Sequence, residues 1–114
     1  MSRDDATVLD MLAAARLAVE FMADHDLPAL EKDLQLQSSV LFQLLLLGEA
    51  VKRLSDEFRD QYAEIPWKRI AGLRDRIIHR YNELDLEVIW EAVRRDLPDL
   101  IAFLERTGPQ EDSA

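Results

Sequence analysis

Apolar residues recur three and four positions apart along nearly the whole of this 114-residue chain, and residues that break helices are scarce. This spacing is typical of amphipathic helices, because 3.6 residues complete one helical turn. Only three glycines and four prolines are present, and no segment shows a convincing strand pattern. The sequence therefore predicts an all-α fold, an antiparallel bundle of four principal helices plus a short helical turn.

Two long helical segments are predicted in the first half of the chain. The first is expected from about residue 5 to 24, with acidic residues in its first turn, where they interact favourably with the helix dipole. The second is expected from about residue 28 to 54, with a break near residues 34–37. Its apolar run over residues 41–47 is predicted to be buried on more than one side, in the bundle centre or in an oligomer interface. Gly48 costs about 1 kcal/mol of helix propensity relative to alanine. We therefore expect it to allow a neighbouring helix to approach closely.

Capping residues and prolines divide the second half of the chain. Ser55 is expected to cap a short helical turn, and the next helix is expected from Pro66–Trp67 to about Tyr81–Asn82. Asp85 can cap a last helix that stops at residues 107–109. Pro98 is expected to kink this helix or to interrupt its hydrogen bonding.

Length and composition indicate one intracellular domain. A chain of this length buries roughly two thirds of its unfolded surface, so a single domain over residues 1–109 is expected, with a flexible tail at 110–114. Cysteine is absent, which is compatible with a reducing compartment. The first residues lack the apolar core of a signal peptide, and the run over 40–48 is too short to cross a membrane. We therefore expect a soluble, cytoplasmic protein with no membrane partner.

Positive charge is concentrated in one segment of an otherwise acidic chain. Residues 68–80 contain five basic residues and one acidic residue, a formal charge of +4, whereas the remaining residues carry −13 and the whole chain −9. The segment Arg74–Tyr81, RDRIIHRY, also contains one of only two histidines. A local positive site in an acidic protein predicts a contact with phosphate or another anion, and disfavours a surface coated generally with nucleic acid.

Arg74 and His79 lie on opposite sides of a straight helix, about 140° apart. Arg74 is aimed at packed surface. It either snorkels to solvent or pairs with an acid of another helix, or it holds an anion in its planar fork of donors. A lone histidine on a helix is typically a surface or cap residue, although Asp75 could orient His79 from one turn before it. A site that uses Arg74 and His79 together requires a distortion of the helix near His79 or a second copy of the chain.

Other side chains of the segment have two interpretations each. Ile70, Leu73, Ile77 and Ile78 form an apolar stripe, with Arg74 and Tyr81 near its centre. Tyr81 either extends this stripe into the core or presents its hydroxyl at the surface as a ligand contact or modification site. Arg76 and Arg80 form a basic ridge that is either solvated and paired with acids or suited to a polyanion backbone. His25 is expected at a solvated helix end, remote in sequence from His79, so no metal site is predicted.

Short segments that flank the basic motif occur in a specific order. The motif itself is Arg74, four residues, His79, one residue and Tyr81. The flanking segments are LGEAV at 47–51, IPW at 65–67, IAGLR at 70–74, LDLEVIW at 84–90 and DLP at 96–98. The arginine–histidine spacing is a weak signal alone, whereas the ordered set is specific and covers nearly the full chain. With these features the sequence resembles the HepT-like branch of the HEPN superfamily, the toxins of HepT/MntA type.

This resemblance implies an all-helical HEPN domain that dimerises and acts as a metal-independent endoribonuclease without a cofactor. It implies that Arg74 and His79 are catalytic, that Asp75 supports them, and that RNA is the substrate, with Arg76 and Arg80 as candidate contacts. Histidine could move the proton of a ribose 2′-OH or of the leaving oxygen, while arginine stabilises charge on the phosphoryl group. The expected products are a 2′,3′-cyclic phosphate and a 5′-OH. A dimer would bring two copies of the motif toward one cleft.

The resemblance also implies a partner, as in type VII-like toxin–antitoxin systems. An MntA-like nucleotidyltransferase antitoxin would transfer AMP from ATP to Tyr81, so ATP would be the substrate of that partner. The added phosphodiester would repel an RNA backbone and could pair with Arg74 or Arg76. Arg80 departs from the smaller or neutral residue of many relatives, a change that leaves the motif intact.

Two other classes of function stay open on the sequence. One is a non-catalytic helical partner that regulates a nucleotidyltransferase, which predicts a stable complex and no cleavage of RNA. The other is a structural dimer whose arginines pair with Glu49 or other acids.

Overall fold

The fold is built from helices whose starts coincide with capping residues in the sequence. A computed structural model describes residues 2–109. Its α-helices, in chain order, are α1 (Arg3–Met22), α2 (Leu27–Lys32), α3 (Leu34–Arg53), α4 (Asp56–Gln61), α5 (Trp67–His79), α6 (Leu86–Glu91) and α7 (Leu97–Thr107). No strand occurs in these residues, so the all-α prediction is confirmed. The tail predicted at 110–114 lies outside the described part of the chain.

Side-chain caps set the starts of most helices. The side chains of Ser2, Asp26 and Asp33 accept backbone N–H groups at the starts of α1, α2 and α3. The predicted caps Ser55 and Asp85 are confirmed at α4 and α6. Asp33 both ends α2 and caps α3, so the break lies just before the predicted residues 34–37.

Helices α1 and α3 pack against each other and form the centre of the bundle. They are antiparallel, because Ser55, two residues after the end of α3, donates its N–H and O–H to Asp4 in the first turn of α1. Helix α5 packs on α3, and α7 packs on α1. The largest fully buried side chains include Val8, Met11, Leu12, Leu44, Leu47, Val51, Ile89, Val93 and Leu104.

The leucine-rich part of α3 is buried on its core-facing sides and exposed elsewhere. Leu41, Leu44 and Leu47 are buried, whereas Phe42 is 57% exposed and Leu46 is 41% exposed. Helix α3 is long and apolar enough to cross a membrane, but core helices of soluble proteins meet the same criterion of length and composition. Since α3 packs against both α1 and α5, its place in this fold is that of a core helix.

The last helix is interrupted as Pro98 predicts. Residues 92–96 form a π-helical turn between α6 and α7, and Pro98 lies in the first turn of α7. Proline has no N–H with which to complete the α-helical hydrogen bond, so a local change of helical pattern is its expected result. In the π turn, Arg94 lies over the ring of Trp90, 4.9 Å from its centroid.

An aromatic cluster anchors the start of α5. Trp67 contacts the rings of Phe58 and Phe103, with centroids 6.0 and 6.4 Å away, and its indole N–H donates to the carbonyl oxygen of Tyr62. Trp67 and Ile77 are the buried residues of this helix. Helix α5 therefore has a buried residue near each end, and between them Ile70, Ala71 and Leu73 are partly buried against the core.

Helix α5 ends two residues earlier than predicted. Arg80 has φ −134° and ψ 36°, outside the helical region, and Tyr81–Glu83 form a 3₁₀ turn. The predicted end at Tyr81–Asn82 assumed one continuous helix. The change of backbone direction at Arg80 therefore decides where Tyr81 lies.

Candidate active site

Gly48 lets α5 approach α3 at Arg74. A Cβ atom at Gly48 would lie 2.2 Å from the Cβ and 3.0 Å from the Cγ of Arg74. Non-bonded carbon atoms pack at about 3.5–4.0 Å, so a larger residue would require α5 to move. The close helix approach predicted at Gly48 is confirmed, and the residue that approaches is the arginine of the basic motif.

Arg74 is held between two carboxylates where the helices meet. Its Nη2 donates to Oε1 of Glu49 on α3 at 2.6 Å, and its Nη1 donates to Oδ1 of Asp75 at 3.0 Å. The same oxygen of Asp75 accepts from Nζ of Lys52 at 2.6 Å. We call Glu49, Lys52, Arg74 and Asp75 the charge quartet; two cations and two anions make it formally neutral. The predicted pairing of Arg74 with an acid of another helix is confirmed.

Hydrogen bonds within the charge quartet favour the charged forms of Asp75 and Arg74. The hydrogen bond from Lys52, followed by that from Arg74, lowers the pKa of Asp75. Hydrogen bonds to Asp75 and then to Glu49 raise the pKa of Arg74. Because the Arg74 side chain is only 21% exposed, the motif contains a partly buried cation whose direction is set by neighbouring carboxylates.

His79 is the exposed last residue of α5. Between residues 2 and 109, no side chain forms a hydrogen bond or ion pair with its ring. Helix α5 is α-helical from Arg74 through His79, so the two residues keep their angular separation of about 140°. The helix ends only after His79, so no distortion between the two residues brings them to one side. The other alternative, a second copy of the chain that completes the site, stays a prediction.

Asp75 does not orient His79, contrary to expectation. Its carboxylate instead accepts hydrogen bonds from Lys52 and Arg74, which lie on the α3 side of the helix. A cation from a neighbouring helix attracted the carboxylate more strongly than an imidazole one turn away. Asp75 therefore supports Arg74 in this structure.

Tyr81 lies at the surface, outside α5. Its side chain is 58% exposed, and within the described residues no partner hydrogen-bonds to its hydroxyl. The predicted surface position of Tyr81 is confirmed, whereas its role as a ligand contact or modification site stays a prediction. Its assignment to the apolar stripe of Arg74 is wrong, because the helix ends at His79 and Tyr81 follows in the 3₁₀ turn.

Arg76 and Arg80 are both exposed. In the part of the chain that the structure describes, neither side chain has an ion-pair partner. Arg76 lines a groove of about 920 Å³ between α5 and the α6–α7 segment. Lys68 and Arg69 lie on the same basic wall, and Arg69 pairs with Asp96 of the opposite, acidic wall. Among residues 2–109, Lys68, Arg76 and Arg80 are thus cations without an ion-pair partner on or next to α5.

The charge quartet includes one residue that the sequence interpretation missed. Lys52 was not identified from the sequence, and Glu49 was named only as a partner in a structural dimer. The available signal was their spacing, because residues three apart on a helix share a face. Gly48, beside Glu49, would have shown which helix face approaches a neighbour.

The described residues contain no group of three or more histidine, cysteine or acidic side chains that could hold a metal ion. His25 lies in the turn after α1, where its Nδ1 is 2.9 Å from the carbonyl oxygen of Ala23. His25 therefore has a local contact with the backbone.

Comparison with known proteins gives the family. A family model described as ribonuclease HepT-like matches residues 11–107. The chain belongs to the HepT-like ribonuclease family. The match includes all of α3 and α5 and the turn that carries Tyr81, so every HepT-like feature named above lies inside it.

Several relatives of the HepT-like chain carry provisional ribonuclease names. One from Methanocaldococcus jannaschii, named as an RNase, is 35% identical over 100 residues, which cover 88% of this chain and 83% of the relative. One from Thermococcus cleftensis, named as a ribonuclease HepT, is 33% identical over 97 residues, or 85% of this chain and 88% of the relative. No solved structure matches the chain.

Proposed function

We propose that this HepT-like protein is the toxin of a type VII-like toxin–antitoxin system, a metal-independent endoribonuclease of the cytoplasm. The observation that carries the proposal is the fixed, partly buried cation Arg74 on the same helix as the exposed His79. A guanidinium can stabilise charge on a phosphoryl group, and a free imidazole can move protons near neutral pH. Membership in a ribonuclease family supports assigning both residues to RNA cleavage.

In the proposed reaction, the ribose 2′-oxygen attacks the adjacent phosphorus and the bond from phosphorus to the 5′-oxygen breaks. The 2′-OH loses a proton and the 5′-oxygen gains one, which gives a 2′,3′-cyclic phosphate and a 5′-OH. His79 carries out one of these proton transfers, and water or a second copy of the chain carries out the other. Arg74 donates to the phosphoryl oxygens as negative charge accumulates. DNA has no 2′-OH and is not cleaved by this route.

We propose that a homodimer completes the site. Arg74 faces α3 whereas His79 faces solvent on another side of α5, so one chain does not direct both groups to one point. The exposed apolar side chains Phe42, Leu46 and Ile78 are available for an interface on α3 and α5. Two copies of α5 that meet there would place the arginine of one near the histidine of the other.

We also propose that an MntA-like nucleotidyltransferase antitoxin inactivates the protein by AMP transfer to Tyr81. The exposed hydroxyl, without a hydrogen-bond partner in residues 2–109, supports Tyr81 as an accessible acceptor. In the transfer, the tyrosine oxygen bonds to the α-phosphorus of ATP, pyrophosphate leaves and the hydroxyl proton passes to base or solvent. The new phosphodiester is an anion close in sequence to Arg76 and Arg80, where it would repel RNA.

The test uses protein purified without a partner and an RNA oligonucleotide in EDTA. The parent is expected to give products with a cyclic phosphate, whereas Arg74→Ala and His79→Ala are expected to lose cleavage. Arg59→Ala on α4 removes an arginine outside the motif and is expected to cleave like the parent. Equal cleavage by all four proteins would reject the assignment. No cleavage by any of them, with a stable nucleotidyltransferase complex, would favour the non-catalytic regulatory subunit.

A further inference from the structure

The charge quartet contains a carboxylate that the basic motif does not supply. Glu49 belongs to α3, whereas Arg74 and Asp75 are neighbours on α5. The Glu49 carboxylate is 2.6 Å from Nη2 of Arg74 and is 38% exposed. It is the direct hydrogen-bond link between the arginine and the core helix, since Asp75 reaches α3 only through Lys52. Its effect on the orientation of Arg74 is therefore separate from that of the motif itself.

The guanidinium keeps donors free despite its two carboxylate partners. It has five N–H groups, of which one on Nη2 is used by Glu49 and one on Nη1 by Asp75. Each Nη atom retains a second N–H. Nε is buried without a hydrogen-bond partner among the described residues. An arginine that is anchored at both Nη atoms thus still has two N–H groups with which to bind a phosphate.

Gly48 and Glu49 act on the same side chain from consecutive positions of α3. Glycine allows the Cβ of Arg74 to lie against the α3 backbone, and Glu49 bonds the far end of that side chain. The Arg74 side chain is therefore constrained at both its base and its tip. This pre-set orientation avoids ordering a flexible arginine during the reaction, which is the energetic advantage of a preorganised site.

From this arrangement we propose that Glu49 is a positioning residue for RNA cleavage, one that aims the guanidinium of Arg74 at the phosphate being cleaved. The proposal rests on the ribonuclease function proposed above. A positioning role differs from a purely structural ion pair in what it controls. It acts on the transition state through Arg74, so its loss lowers kcat and kcat/KM together while KM changes little.

The kinetic test compares variants at position 49 on a fluorogenic RNA oligonucleotide. Glu49→Ala is expected to lower kcat about 100-fold with KM within about threefold of the parent, because misplacement of a catalytic group by about 1 Å has an effect of this size. Glu49→Gln keeps an acceptor oxygen at the same reach and is expected to recover at least about tenfold of that loss. The matched control is Glu105→Gln, which removes the charge of an ion pair with Arg16 of similar length, 2.7 Å, and is expected to cleave like the parent.

A second measurement reports on Arg74 without using activity. The buried Arg74 Nε–H is expected to give a slowly exchanging ¹H–¹⁵N signal with a high heteronuclear NOE. In Glu49→Gln, and in Glu49→Ala if it folds, proton exchange is expected to become faster and the NOE to fall. The control Glu105→Gln is expected to leave this signal unchanged.

The outcomes separate the two proposals. If the parent does not cleave RNA, the ribonuclease function fails, and the NMR signal still decides whether Glu49 orders Arg74. If the parent cleaves but Glu49→Ala retains kcat within about threefold, the positioning role is overturned while the ribonuclease stands. A loss that appears entirely in KM, or a kcat of Glu49→Gln that falls while the Arg74 signal does not change, also overturns it.

Discussion

Substitution of Gly48 by alanine tests whether the spacing of two helices controls activity. The added Cβ would lie 2.2 Å from the Cβ of Arg74, whereas carbon atoms pack at about 3.5–4.0 Å, so α5 has to move by roughly 1.5 Å. Overpacking of this kind destabilises a protein by about 1–3 kcal/mol. Alanine in place of glycine returns about 1 kcal/mol of helix propensity. The expected net loss in the free energy of unfolding is therefore between about 0 and 2 kcal/mol.

The expected loss of activity is much larger than this loss of stability. Helix α5 contributes two buried residues to the core and α3 contributes eight, so we expect α5 to shift without unfolding the bundle. The shift moves Arg74 relative to Glu49, and a misplacement of about 1 Å in an active site can lower the rate about 100-fold. We expect Gly48→Ala to remain folded in urea titrations and to lose at least about 100-fold in RNA cleavage.

Gly72→Ala is the matched control for this prediction. It makes the same chemical change on α5 itself, at a position where an added Cβ meets nothing within 4 Å. We expect it to increase the free energy of unfolding by about 0.5–1 kcal/mol and to cleave RNA like the parent. Cleavage by Gly48→Ala within about threefold of the parent, or an equal loss in Gly72→Ala, would refute the reasoning.

Three further predictions concern charge and packing. Hydrogen bonds from Ser55 lower the pKa of Asp4 from its ordinary value of 3.8. The ionised carboxylate therefore stabilises the folded protein above that pH, and this stabilisation is lost on acidification. Asp4→Asn should lower Tm at pH 7, and the difference from the parent should vanish in acid; a difference constant with pH would contradict this. Trp67→Ala should lower the free energy of unfolding in urea by about 3–5 kcal/mol, and a loss below about 1 kcal/mol would show that the aromatic cluster does not anchor α5. Lys68, Arg76 and Arg80 give three candidate phosphate contacts, so the logarithm of the RNA association constant should fall with the logarithm of salt concentration with a slope of about −2, and a slope near zero would exclude them.

Much of the fold could be predicted because its local signals agree with one another. Apolar spacing gives the helices, Ser55 and Asp85 mark two starts, and Pro98 marks the interruption near the π turn. The boundary after α5 could not be predicted, because Arg80 has no proline or glycine beside it to indicate a break. Its departure from helical geometry is a property of the folded chain.

The candidate site was predictable in its residues but not in their pairing. The motif identified Arg74, and Gly48 indicated that a helix approaches α3. The sequence alone could not show that the two features meet. Asp75 illustrates the difficulty, because its carboxylate accepts a hydrogen bond from Lys52 on another helix rather than from His79, which is closer in sequence. Such a choice depends on distances across the fold, which periodicity does not contain.

Helix α5 has two buried residues, whereas α1 and α3 have eight each, and this difference has a consequence for local opening. Proteins open in segments, and a segment with few buried apolar contacts opens at a lower free energy than the whole molecule. Amide hydrogens in the middle of α5 should therefore exchange with solvent faster than those of α1 and α3. A protease that cuts within the opened helix would divide the segment that carries Arg74 and His79 without first unfolding the whole protein, so the lifetime of the activity in a cell can be shorter than the lifetime set by global unfolding.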